Sequence, residues 1–216
     1  MKPQTLFFSG LFAVIGAFFL FAVTPSAQAT EKNAAHPAAA FIQKLGEEAL
    51  VSLTDKSTAR SVRETRTRKL LNDYFDVNSI GRFALAAYWK SASEAQKAEY
   101  FSLFEKMIVD TYTTRFEEYS GQSFKVDGAR DTDNKRDAIV SSRILQKDGP
   151  DVNIEWRVRS KDGGMKVIDV IVENISMSVT QRSDFAAVIQ RGGGDVEALL
   201  KSLRSKKKNA SDVAKK

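Results

Sequence analysis

No cysteine occurs anywhere in the chain, and histidine occurs once. The first absence removes disulfide staples, thiol nucleophiles, thiolate metal sites and iron–sulfur clusters together. The second removes a Ser-His-Asp triad and a histidine-ligated metal, because His36 sits in a polar, alanine-rich stretch and is expected to be part of a flexible linker over 30–37. A nucleotide site lacks its parts as well. Gly192-Gly193-Gly194 has no Lys-Ser/Thr after it and no strand before it, so the glycines read as a helix break. Asp131, Asp133 and Asn134 begin a calcium-loop spacing, but the terminal Glu is missing. Asp169 and Glu173 share one strand face about 13 Å apart, beyond either glycosidase geometry, and are expected to face solvent or basic side chains. No internal repeat is visible.

What is present begins with Lys2, an apolar run over 6–23, Pro25, and Ala27-Gln28-Ala29, a small-x-small cleavage pattern. This predicts a secretory signal peptide over 1–29, cut after Ala29; the alternative for a run of this length is an uncleaved membrane anchor. An exported chain without cysteine suits a bacterial periplasm. The remaining 187 residues suit one domain of ordinary size. Net charge is +6, but residues 201, 204, 206, 207, 208, 215 and 216 are basic against Asp212 alone, and the rest of the processed chain is near −1. The segment 205–216 is expected to be a disordered basic tail, either merely solvated or drawn to an anionic membrane or an acidic protein. Export leaves no role for nucleic acid as a partner.

Along the chain, Ile42, Leu45, Ala49 and Leu53 form one stripe of a helix over 38–55. A charged second helix over 58–74 places Glu64 and Arg68 for an i, i+4 pair and reads as a surface helix. Asp76 caps a third, with Val77, Ile80, Phe83, Ala84, Ala87 and Tyr88 on one face. Ser93 and Gln96 make a capping box for the longest helix, over 94–119, which is ended by Gly121. Its stripe carries Phe101, Phe104, Ile108, Tyr112, Phe116 and Tyr119 and is roughly 39 Å long, enough to cross a sheet as its cover.

Four antiparallel strands follow, the first two over 122–128 and 136–146. The last two form a hairpin about Lys161-Asp162-Gly163-Gly164. In it Val152, Ile154, Trp156 and Val158 alternate onto one face, and parity adds Ile168, Val170 and Val172. Ser183 caps a short helix, and Asp195 caps a last one carrying Val196, Leu199, Leu200 and Leu203. Helices, then strands, then helices give an α+β class: a four-stranded antiparallel sheet covered by helices. If helix and sheet are splayed, the aromatic stripe and the hairpin face enclose an apolar cavity; if not, they form closed core.

The run Tyr88-Trp89-Lys90-Ser91-Ala92-Ser93, then Ala95-Gln96, the Gly121-Gln122 junction, Ile168-Asp169-Val170-Ile171-Val172-Glu173-Asn174-Ile175-Ser176-Met177 and the 182–185 segment resemble the MlaC, or toluene-tolerance, family of periplasmic phospholipid carriers. The resemblance covers about 41–203. Ile168 stands where the family commonly has an aromatic residue and Asn174 where it commonly has Gly; Asn tolerates positive φ, so the bend survives. The resemblance implies a lipid-binding domain over 38–204 with a nuclear transport factor 2-like fold, acyl chains between sheet and helices, and the head group near the mouth. It implies a non-catalytic, cofactor-free monomer that carries phospholipid as cargo and maintains outer-membrane lipid asymmetry. The implied partners are an outer-membrane lipoprotein complex and an inner-membrane ABC transporter with its substrate-binding subunit. The residues expected against the chains are Phe101, Phe104, Ile108, Tyr112, Ile154, Trp156, Ile168, Val170, Val172 and Met177. The alternatives are a carrier of another apolar lipid such as a hopanoid, an enzyme with Asp169 beside Tyr112 or Tyr119, and an interaction module recruited through the basic tail.

Overall fold

Helices α1 (Pro37–Leu53), α2 (Arg60–Tyr74), α3 (Val77–Leu85), α4 (Tyr88–Ser91) and α5 (Glu94–Glu117) precede the sheet, and α6 (Met177–Arg191) and α7 (Val196–Val213) follow it. The structure, a computed structural model, describes residues 36–161 and 163–213, with side chains as far as 205. The expected signal peptide and residues 30–35 of the expected linker lie outside the described residues.

His36 is a helix cap, not a flexible linker residue. Its Nδ1 accepts the Ala38 N–H at 3.1 Å and its Nε2 lies 3.2 Å from Asp131, which ties the start of α1 to the sheet. Asp76 caps α3 by accepting from Ser79, and the Ser93/Gln96 capping box opens α5, both as the sequence predicts. The third helix does not run through to Tyr88. Ala86 takes φ 52°, a left-handed angle no helix can carry, and the short α4 follows. The Glu64–Arg68 pair is not made: Glu64 pairs with Arg60 at 2.9 Å, and Arg68 reaches Glu105 at 2.7 Å. The cause is that α2 is not a plain surface helix. It packs between α1 and α5, buries Thr67, Leu70, Leu71 and Tyr74, and sends its long basic side chains to acids of α5, Glu117 among them.

Strands β1 (Ser123–Asp131), β2 (Asp137–Leu145), β3 (Val152–Lys161), β4 (Gly164–Val172) and β5 (Ile175–Ser176) form an antiparallel sheet in sequence order. Four long strands match the sequence; the fifth is a two-residue return. It is reached through Glu173 and Asn174 at φ 47° and 65°, the two left-handed residues that a tight hairpin turn demands. The β3–β4 hairpin closes at Lys161 and Gly164 with Gly163 at φ 78°. Pairs Ile154–Val172 and Trp156–Val170 set these four side chains on one face. Beyond them the ladder shifts, Val167 pairs with Val158, and Ile168 becomes the extra residue of a bulge. Parity therefore fails at Ile168: the fully buried Val167 takes the inward place.

After the sheet, α6 begins at Met177, not after Ser183. Ser176 is the cap, and Asp169 accepts both the Ser176 hydroxyl at 2.6 Å and the Ser178 N–H at 3.1 Å. Asp169 thus anchors a helix N-terminus, where a carboxylate is favoured, and does not face solvent or a basic partner. Gly193 and Gly194, at φ 83° and 88°, break the chain as predicted. The backbone of α7 stays helical to Val213, into the segment that the sequence predicts as disordered.

Two hydrophobic clusters result. One joins α1 and α2 to the sheet through Ile42, Leu45, Leu70, Tyr74, Val140, Val158 and Val167. The other is all-helical and joins α3, α5, α6 and α7 through Leu85, Tyr100, Phe104, Phe185, Ile189, Leu199 and Leu200.

Candidate functional site

Helix α5 passes from one cluster to the other. Tyr100 and Phe104 are buried in the helical cluster, whereas Phe116, three turns on, packs against the sheet cluster. Val109 of α5, Leu71 of α2 and Ile154 of β3 are buried yet join neither. Tyr112 is 40 % exposed, and still burial raises its hydroxyl pKa above the ordinary value, against a smaller lowering by Arg115.

The sheet below is unevenly covered. α1 approaches β1 and β2 closely, and α2, α3 and α6 approach β4; no helix comes comparably close to β3. Of the expected cover by α5, its C-terminal part is seen, where Phe116 packs against the sheet cluster. Phe101, Phe104 and Ile108 of its stripe pack in the helical cluster, and α1, α2, α3 and α6 approach the strands. The inward side chains of β3 are nonetheless enclosed at one end, where Val158 is buried in the cluster with α1 and α2 and Trp156 packs against it. Trp156, on that strand, donates its ring N–H to Ser142 Oγ at 2.8 Å and stands edge-on to Phe124 with 6.3 Å between ring centres. The polar end of the indole is thereby satisfied, which leaves its apolar edge for packing.

The ten expected contact residues divide into three sets. Ile154, Trp156, Val170 and Val172 share one face of the sheet, with Ile154 buried and the others half-buried. Phe104 is core of the helical cluster, with Phe101 and Ile108 packed against it, so these three serve first to hold helices together. Tyr112 is exposed on α5, Met177 is the half-buried first residue of α6, and Ile168 leaves the set on its bulge. The expected set leaves out Leu71 and Val109, which are buried but belong to neither cluster. Leu71 lies in a helix whose charge masks it, and Val109 sits beside Ile108, one position off the aromatic stripe.

An exposed apolar strip adjoins the end of this face. Phe83, Ile175 and Val179 are open to solvent, and Arg182 stacks over the Phe83 ring at 5.3 Å. A separate groove of about 560 Å³ lies at the opposite end of β3 and β4, between Lys161, Met165, Phe75 and Glu105, and shares only Phe101 with the expected set. Its wall of charged side chains and backbone turns suits water better than hydrocarbon.

Two of the groups that the catalytic alternative names are held by other partners. Asp169 is engaged by Ser176 and Ser178, and the Tyr119 hydroxyl donates to the Gln122 carbonyl at 2.7 Å. Among the described residues no group of three or more His, Cys, Asp or Glu could hold a metal ion.

The family model described as MlaC protein matches residues 43–205 of the chain. Over 134 residues the chain is 24 % identical to the intermembrane phospholipid transport system binding protein MlaC of Haemophilus influenzae, a stretch covering 61 % of this chain and 63 % of that protein. Over 133 residues it is 26 % identical to toluene tolerance protein ttg2D of Pseudomonas putida, covering 61 % of each. The match thus spans less than two thirds of these relatives. A solved structure of a phospholipid-binding protein from Ralstonia solanacearum, in complex with a phospholipid, superposes with a TM-score of 0.69 at 20 % identity, covering 80 % of this chain and 97 % of that one. At that identity the likeness is one of fold.

Proposed function

The chain belongs to the MlaC family, and on that premise we propose that it is a non-catalytic periplasmic carrier that holds phospholipid acyl chains in the recess between its two hydrophobic clusters. The observation that carries this reading is the apolar face that Ile154, Trp156, Val170 and Val172 share on the β3–β4 hairpin, with Trp156, Val170 and Val172 only half-buried. Tyr112, Met177, Leu71 and Val109 complete the proposed wall. Phe101, Phe104 and Ile108 stand behind it and keep the helical half rigid while the recess opens.

Physical magnitudes explain why such a carrier is needed. Two acyl chains carry about 30 methylenes, and exposing them to water costs on the order of 24 kcal/mol. The bilayer is as apolar as the recess, so transfer between them is close to thermoneutral and runs on differences in affinity. No energy source within this chain is required. The proposed route lies between an outer-membrane lipoprotein complex and an inner-membrane ABC transporter with its substrate-binding subunit, with the chain acting as a monomer after removal of 1–29. Its task on this reading is to maintain outer-membrane lipid asymmetry, with phospholipid as cargo and no cofactor.

Trp156 gives a direct test. In a Trp89→Phe variant it is the remaining tryptophan, and phospholipid brominated along its acyl chains should quench its fluorescence strongly, while head-group bromination should not. Trp156 emission indifferent to both lipids would sink the proposal.

A further inference from the structure

We infer that the exposed apolar strip of Phe83, Ile175 and Val179, with Arg182 beside it, seats on the head-group region of a phospholipid bilayer, so that the lipid-binding face opens there onto the membrane. The inference rests on the carrier reading. Ile154, Val172 and Ile175 stand abreast on β3, β4 and β5, and residues directly opposed in an antiparallel sheet point to the same side. Along this row exposure rises from 8 % at Ile154 through half-burial at Val172 to 57 % at Ile175. The apolar face therefore does not end in a polar edge; it runs out into water at the β4–β5 turn. From there α6 continues it. Val179 is exposed in the first turn of that helix, Arg182 follows three residues on along the same side, and its guanidinium lies over the exposed Phe83 ring of α3.

The charges around the strip suit phosphate. Stacking on a ring occupies the flat face of a guanidinium and leaves its in-plane N–H groups to donate, and among the described residues Arg182 has no carboxylate partner. The acids of the neighbourhood turn elsewhere. Glu173 accepts from the backbone and side chain of Asn153, and Asp184, the one acid of α6, lies about 200° around the helix from Arg182. Three apolar side chains are far too little for a stable protein interface, which buries about 1,200–2,000 Å² around a packed centre. They are enough for a lipid surface, where a few apolar side chains enter between head groups and a basic one meets phosphate. A bilayer also places an apolar phase in line with the row from Ile154 to Ile175, so that cargo passes without crossing water.

Because the chain has no cysteine, Val179→Cys and Val51→Cys variants released from the periplasm can each carry one NBD fluorophore. Val51 is exposed on α1, which packs at the β1–β2 side of the sheet, and serves as the reference. On vesicles of phosphatidylcholine and phosphatidylglycerol, NBD at 179 should brighten and shift to the blue while NBD at 51 stays water-like. Without labels, Phe83→Ser should weaken vesicle sedimentation about fivefold at low and high salt alike, and Arg182→Gln about fivefold at low salt only. A protein that ignores the vesicles, a bound protein whose 179 label stays water-like or responds no more than the 51 label, or substitutions without effect on sedimentation overturn the inference. So does a 179 label that shifts with protein concentration alone, which assigns the strip to a second copy. Native mass spectrometry of the same samples should find every variant loaded with phospholipid. A chain empty of lipid in all of them fails at the carrier reading itself, and the mass spectra separate that outcome from the others.

Discussion

Asp137 is the most enclosed carboxylate on the sheet, 5 % exposed and held by Arg159 through two hydrogen bonds of 2.7 and 2.8 Å. The Arg159 guanidinium holds its carboxyl below the usual range against the opposing effect of burial. A carboxylate with a depressed folded-state pKa stabilises the fold above its unfolded value, about 3.9, and that stability is lost as pH falls through the folded value. Asp137→Asn should lower stability at neutral pH by about 1–3 kcal/mol, and the deficit should shrink between about pH 5 and pH 2. Urea unfolding across that range checks it; a deficit constant with pH contradicts the pairing. Little of this is legible in the sequence, because a cross-strand partner 22 positions away is fixed only by register. The caps at Asp76 and Ser93 are legible, since their partners lie three residues on.

At the scale of elements, the turn between β4 and β5 sets where α6 starts and how Val172 and Met177 are presented. Asn174 sits at φ 65°, so Asn174→Ala should cost about 1–2 kcal/mol, whereas Asn174→Gly should be neutral or slightly stabilising. Thermal melts of the two variants decide it, and equal melting temperatures would contradict the left-handed requirement. The bend is legible only through the family resemblance, because the residues alone read as one strand through to Ile175. The sequence also hides the start of α6, because Met177-Ser178-Val179-Thr180 is rich in β-branched residues that read as strand, and local propensity loses to capping by Ser176 and Asp169. The bulge at Ile168 is hidden for a related reason: alternation in one strand says nothing of the extra residue its partner makes it accommodate. Helix α5 shows both sides, with its ends and apolar stripe readable and its neighbours not, since the same stripe can serve a sheet or a bundle.

For the molecule as a whole, the α+β order and the hairpin follow from periodicity and turn residues, and the family follows from motifs spread along the chain. The division of the core does not. Unfilled space has no residue of its own, and the sequence offers the same apolar side chains to a closed core and to an open recess. That division is the central claim, and native mass spectrometry of the protein released from the periplasm tests it most directly, with Ile154→Trp and Val172→Trp variants beside it. The account predicts about one phospholipid per chain in the unaltered protein, and marked loss of that lipid in the variants, whose added rings occupy the recess while circular dichroism stays unchanged. A folded protein that emerges free of lipid, or folded variants loaded as fully as the parent, would contradict it.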